Sequence, residues 1–192
     1  MIEDVTMENL EKRMYIFVPY QLTGIQKGIQ AGHCVEQYAF KYHNDLEYKD
    51  YVKNWKTWYV YNGGTTNSDF EGNWYGSLNT IKDDLKANGI KFAKFKEPDL
   101  NNALTAVCFL ADERVWNHDK FPDFQIYTGM YGGGVTLTNG FCDNIVGCGS
   151  YTVVNLNSQV NADGQTYEAW KEYIGGDKNI FLRELVKNRR FA

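Results

Sequence analysis

The chain has 192 residues, 43% hydrophobic and 23% charged, which is enough apolar material for a packed core and excludes a disordered chain. Its 24 acidic against 20 basic residues give a net charge of -4, which argues against a protein that coats nucleic acid and leaves room only for a local basic patch. No apolar run approaches the ~18 residues of a membrane span, and the acidic start MIEDVTMENLEKRM carries no signal pattern, so a cytoplasmic chain with no membrane contact is expected.

Met14 to Tyr20 is short and rich in β-formers and predicts a buried strand. Thr23 and Gly24 end it, and a helix is expected from about Ile25 to Tyr42. Gly28, Ala31, Gly32, Val35, Tyr38, Ala39 and Tyr42 share one side of that helix at 3.6 periodicity. Glycine costs helix propensity, so the Gly28/Gly32 side is expected to press closely on a sheet. Gln26, Gln30, His33 and Gln37 form a narrow, uncharged polar stripe on the side away from it.

Asp45 to Lys53 reads as a weaker surface helix, and Thr57 to Tyr61 as a second strand ending in the turn signal Asn62-Gly63-Gly64. A Gly/Asn/Thr-rich loop or hairpin follows. Ser77 can cap a helix carrying Leu78, Ile81 and Leu85, which Asn88-Gly89 ends. Ile90 to Phe95 is a third strand, and Glu97-Pro98-Asp99-Leu100 a turn. The run LTAVCFLA, Leu104 to Ala111, fits a central strand buried on both faces. The aromatics Trp55, Trp58, Tyr59, Tyr61, Phe70, Trp74 and Tyr75 serve packing more readily than base stacking.

Strands alternating with helices point to an α/β fold: a mixed β-sheet flanked by helices. Beyond residue 112 the character changes. Residues 127–154, rich in Gly, Thr, Asn and Val, read as loops or short antiparallel strands. Thr166 to Phe191 reads as helix in two parts, broken at Gly175-Gly176. The expected division is a domain at 12–111 and a Gly-rich C-terminal extension at 112–192 that ends in helix and packs on it.

Cys34, Cys108, Cys142 and Cys148 form no CxxC pair, and His33, His43 and His118 are scattered, so reduced thiols, no metal site and no cofactor are expected. Nothing in the sequence joins Cys148 to His118 as a nucleophile and base.

The helix segment QKGIQAGHCVEQYAFKY resembles the first helix of the archaeal/eukaryotic-type peptidyl-tRNA hydrolases. Gln30 matches that family's glutamine and His33 the histidine three residues on. FKEPDLNNALTAVCFLA is similar to a segment of a divergent bacterial and phage branch, and the strand order agrees; the resemblance covers about residues 12–111. It implies hydrolysis, or binding, of the ester-linked end of a tRNA. Asp99, Gln26, His33 and Thr105 would then be the catalytic set, and Gln30, Lys27 and Gln37 would bind substrate. Gln26 stands where the family carries its catalytic lysine, and Lys27 is turned about 100° away on a helix. That departure leaves open an inactive binding module of the same fold. Its partner would be tRNA, another nucleotide-containing ligand or a protein, and a dimer is compatible with the sequence.

Overall fold

The computed structural model describes residues 10–127, 134–138, 141–142 and 164–192. The chain divides into two compact units, residues 1–113 with 188–192 and residues 114–187. Cys148 and most of the glycine-rich 127–154 stretch lie outside the described residues. No helix among the described residues is long and apolar enough to cross a membrane.

The first unit is a mixed four-stranded sheet with helices on its faces, as the alternating pattern predicts. Its elements are β1 (Lys12–Pro19), α1 (Gly24–Tyr42), α2 (Leu46–Asn54), β2 (Thr57–Gly64), the short hairpin β3 (Asn67–Ser68) and β4 (Trp74–Tyr75), α3 (Ser77–Ala87), β5 (Phe92–Glu97) and β6 (Ala103–Asp112). The strand order is β2-β1-β6-β5. β1 runs parallel to β2 and antiparallel to β6, and β5 is antiparallel to β6. All ten residues of β6 are buried, as its unbroken apolar run requires of a central strand.

Side chains alternate across a strand, so the two faces of β1 serve two layers. Met14, Ile16 and Val18 face α1 and form one core with Ala31, Cys34, Tyr38, Ala93, Ala106 and Cys108. On the other face Tyr15 stacks on Phe109 at 5.4 Å and on Tyr61 at 6.0 Å. Leu78, Ile81 and Leu85 of α3 are buried, with Leu78 set against Phe17 and Gly63. The C-terminal tail closes the β2 edge: Tyr61 bridges to Phe191, and the Ala192 amide donates to the Val60 carbonyl at 3.0 Å.

The close-approach glycine is not on the helix. The sheet-facing stripe of α1 is Gln30, Ala31, Cys34 and Tyr38. Gly28 is exposed, and a Cβ added at Gly28 or Gly32 would meet nothing within 4 Å. The expected glycine face is thus corrected: larger apolar residues at 31, 34 and 38 seat the helix. A Cβ at Gly63, by contrast, would lie 2.8 Å from Leu78 Cδ1 and 3.1 Å from Phe17 Cβ.

In the second unit β7 (Gln125–Tyr127), β8 (Gly134–Thr138) and β9 (Phe141–Cys142) pair antiparallel. The short α4 (Glu113–Trp116) precedes them, and α5 (Tyr167–Tyr173) and α6 (Asp177–Val186) follow, parted at the expected glycines. Phe124, Trp170, Ile174 and Ile180 form its core. Arg183, 3% exposed, donates to Asp123 Oδ1 at 2.6 Å and to the Phe121 carbonyl at 2.8 Å. Burial pushes the Asp123 carboxyl up, but hydrogen bonds and charge from His118 and Arg183 outweigh it and hold the group well below the usual carboxylate range.

Alanine substitution separates the glycines. Gly28→Ala and Gly32→Ala should each raise stability by about 0.8–1 kcal/mol from helix propensity. Gly63→Ala should lower it by ~1–3 kcal/mol through overpacking. Urea denaturation of the three variants checks this; a destabilised Gly32→Ala, or a neutral Gly63→Ala, would contradict the packing.

Candidate functional site

The pairing of β5 with β6 slips near its end. Phe95 is opposite Ala106, and Lys96 is opposite Leu104, so Thr105 is an extra residue on β6. Such a bulge re-aims a side chain. Ala106 and Cys108 already face α1, and simple alternation would send Thr105 to the other side. Instead its hydroxyl donates to Gln30 Oε1 at 2.5 Å, and the residue is only 1% exposed.

The other end of the same amide is also engaged. Gln30 Nε2 donates to Glu97 Oε2 at 2.5 Å. Ala93, Phe95 and Glu97 alternate onto the α1 face of β5, which places the carboxylate there. A hydroxyl, an amide and a carboxylate therefore run in series from the buried strand to the half-buried end of the edge strand. This ordering fixes the amide: Oε1 must accept from the hydroxyl, and Nε2 donates to the acid.

The turn that follows holds Glu97 in place. Pro98–Leu100 is one 3-10 turn, and Asn101 and Asn102 both take left-handed φ, 52° and 61°. Asparagine tolerates this conformation better than most residues. The Asn102 amide donates back to the Glu97 carbonyl at 3.0 Å, closing the loop.

The sequence-derived site residues separate into those in this constellation and those beside it. Gln30 and Thr105 are bonded to one another. Asp99 is exposed in the turn, two residues and at most about 7 Å of chain beyond Glu97. His33 is exposed and stacks on Phe95, 4.7 Å between centroids and 25° between planes. Gln37 is exposed one turn further along, beside Phe40 and Lys41. Gln26 is exposed and committed to the helix start: its Oε1 accepts from the Thr23 amide at 3.0 Å while its own amide donates to Thr23 Oγ1 at 3.3 Å. This is a capping box with glutamine as its third helical residue.

The expected amide stripe is accordingly corrected. Gln30 turns to the sheet, while Gln26, His33 and Gln37 stay outside. Lys27 lies three residues before Gln30, on the same helical side, and is half-buried. Gln26, four residues before Gln30, shares that side too, but it is exposed and held by its capping bonds to Thr23. Glu97 is the member that sequence reasoning assigned only to a turn. The alternation Ala93-Phe95-Glu97 in AKFKE was the signal that could have placed it.

Among the described residues no group of three His, Cys, Asp or Glu side chains is arranged to hold a metal ion. Cys34 and Cys108 are buried free thiols, and the Cys108 Sγ donates to the Cys34 carbonyl at 3.4 Å. Burial raises the Cys108 thiol well above its ordinary value, which keeps it protonated and unreactive. No protein-family model and no curated protein matches the chain.

The hydrogen-bond series makes a stability prediction. Thr105→Val keeps the shape and leaves the buried Gln30 oxygen without its donor, which should cost ~1–3 kcal/mol. Thr105→Ser should recover most of that loss in thermal denaturation. A Thr105→Val protein as stable as the parent would show that the hydroxyl does not hold Gln30.

Proposed function

We propose that the chain is a peptidyl-tRNA hydrolase-like protein whose Glu97, Gln30 and Lys27 take the ester joining a peptide to the end of a tRNA. The observation that carries this reading is the series from Thr105 through Gln30 to Glu97. It joins two of the residues that the family resemblance singles out, Gln30 and Thr105, and it ends in a half-buried carboxylate at the end of β5.

The chemistry follows from the donors. Gln30 occupies Glu97 Oε2, so Oε1 serves as acceptor for a water. As that water attacks the ester carbon, Glu97 takes its proton. Negative charge gathers on the carbonyl oxygen, and the Lys27 ammonium is the cation on the same helical side as Gln30 to meet it. The ribose oxygen then departs with the proton that Glu97 returns. Thr105 positions Gln30 and touches no reacting atom.

A second reading is binding without turnover, of RNA, a nucleotide or a protein. The placement of Gln26 favours it: the residue at the family's lysine position is exposed and spent on capping α1.

Radiolabelled peptidyl-tRNA distinguishes the two. The wild-type protein should release peptide, Glu97→Gln should lose about 10²–10⁴ in rate as the proton acceptor goes, and Lys27→Ala about 10²–10³. Retention of the tRNA on a filter without release by any variant would favour the binding module. Absence of both release and retention would overturn the tRNA reading.

A further inference from the structure

One edge of the sheet is closed by the C-terminal tail on β2, and the other, β5, borders an open groove of about 620 Å³. The groove runs between the C-terminal halves of α1 and α3. Three lysines line it, Lys41 from α1, Lys86 from α3 and Lys94 from β5, together with Phe40, Phe92 and Gln37. No acidic side chain lines it, although the chain as a whole is acidic. Lys86 and Lys94 are exposed and have no ion pair among the described residues. Phe40 is 81% exposed at the rim.

Lysine at an edge strand and near helix C-termini also has a plain structural use, in blocking strand pairing and meeting the helix dipole. That use does not account for the clustering. The Lys94 ammonium is pushed down, first by partial burial and then by the charges of Lys96, Lys82 and Lys86, against which Asp83 gives partial relief. Asp83 is itself paired with Lys82 at 3.0 Å.

The edge itself is poorly suited to adding a peptide strand. The Phe92 carbonyl already accepts from Lys41 Nζ and from the Tyr42 hydroxyl, each at 3.2 Å. A ligand must therefore be held by the lysine side chains and by the aromatic surface. Cations spaced along a groove with an exposed ring at its rim are the elements that hold single-stranded nucleic acid: phosphates on the lysines, a base on the ring.

We propose that the β5-edge groove binds single-stranded RNA through Lys41, Lys86 and Lys94, with a base stacked on Phe40. The proposal deepens the tRNA reading, since it names the surface that holds the unpaired strand of such a substrate, but it does not require the ester to be cleaved.

The test is fluorescence anisotropy with a fluorescein-labelled oligouridylate of about 12 nucleotides, within the range that one such groove accommodates. Wild type should bind. The Lys86→Glu/Lys94→Glu double variant, whose altered side chains are solvent-exposed, should bind at least about 10-fold more weakly, and its log-log salt slope should fall in magnitude by about 1.4, two contacts at ~0.7 each. Phe40→Ala should lose about 5- to 150-fold while keeping the salt slope, because stacking releases no counterions. Matching far-UV circular dichroism and melting of the variants secures the comparison. Absence of wild-type binding, or binding unchanged in the double variant, would overturn the proposal. So would displacement by polyglutamate together with indifference to Phe40→Ala, which would assign the groove to an acidic peptide. The two readings fail separately: oligouridylate binding that depends on the groove, with no ester cleavage, would leave the groove standing and remove the hydrolase. Glu97-dependent cleavage without oligouridylate binding would do the reverse.

Discussion

An amide side chain carried between a helix and a sheet must be hydrogen-bonded at both ends, because an unpaired buried polar group costs on the order of 1–3 kcal/mol. Gln30, only 8% exposed, sets that constraint for this chain. Its oxygen needs a donor from the central strand, and its nitrogen needs an acceptor from the edge strand. A regular β6 would turn Thr105 away from α1, so the demand is met by a bulge that brings the hydroxyl round. The acceptor is met by Glu97 at the last position of β5, secured by two left-handed asparagines. Once these are set, the seating of α1, the path of the β5–β6 loop and the position of one surface carboxylate are all determined together.

The same arrangement divides the first unit by chemistry. The α1 face holds a mixed aliphatic and aromatic core, and at its open end the polar series. The α3 face is aromatic, with Tyr15, Phe17, Tyr61 and Phe109 stacked in a continuous layer. Burial drives the Tyr15 phenol far above its ordinary value, so this layer is neutral packing at any working pH. The Thr105–Gln30–Glu97 series lies on the α1 side, at the end of β5. The lysine groove lies along β5 toward its other end, at Phe92 and Lys94.

Much of the framework was legible in the sequence, since strand alternation and helix period report burial directly. The apolar run of β6 and the Leu78/Ile81/Leu85 face of α3 stand where those patterns put them. The face of α1 was not legible. Ala31 and Tyr38 fit both the glycine-bearing arc and the true one, and period alone cannot choose between neighbouring arcs that differ by one position. Glycine at 28 and 32 suggested close packing, whereas the helix is seated by Ala31, Cys34 and Tyr38. The bulge was invisible because every residue of β6 is buried, so no polar–apolar alternation marks the slip. Glu97 was hidden by Pro98, which made the whole Glu97–Leu100 stretch read as turn. Gln26 carried two signals, a resemblance to a catalytic position and a capping role after Thr23, and the structure shows the second.

The central claim is that Gln30 is locked between Thr105 and Glu97, and its side-chain amide protons report this directly. In nitrogen-15 correlated NMR spectra, the Gln30 Nε2 protons should exchange slowly with solvent and be shifted downfield from those of Gln26 and Gln37, which are exposed. Both features should vanish in Glu97→Ala, where the acceptor is gone. Gln30 amide protons that exchange as fast as those of Gln26 would contradict the account, since no buried hydrogen-bonded series would then connect β6 to the surface.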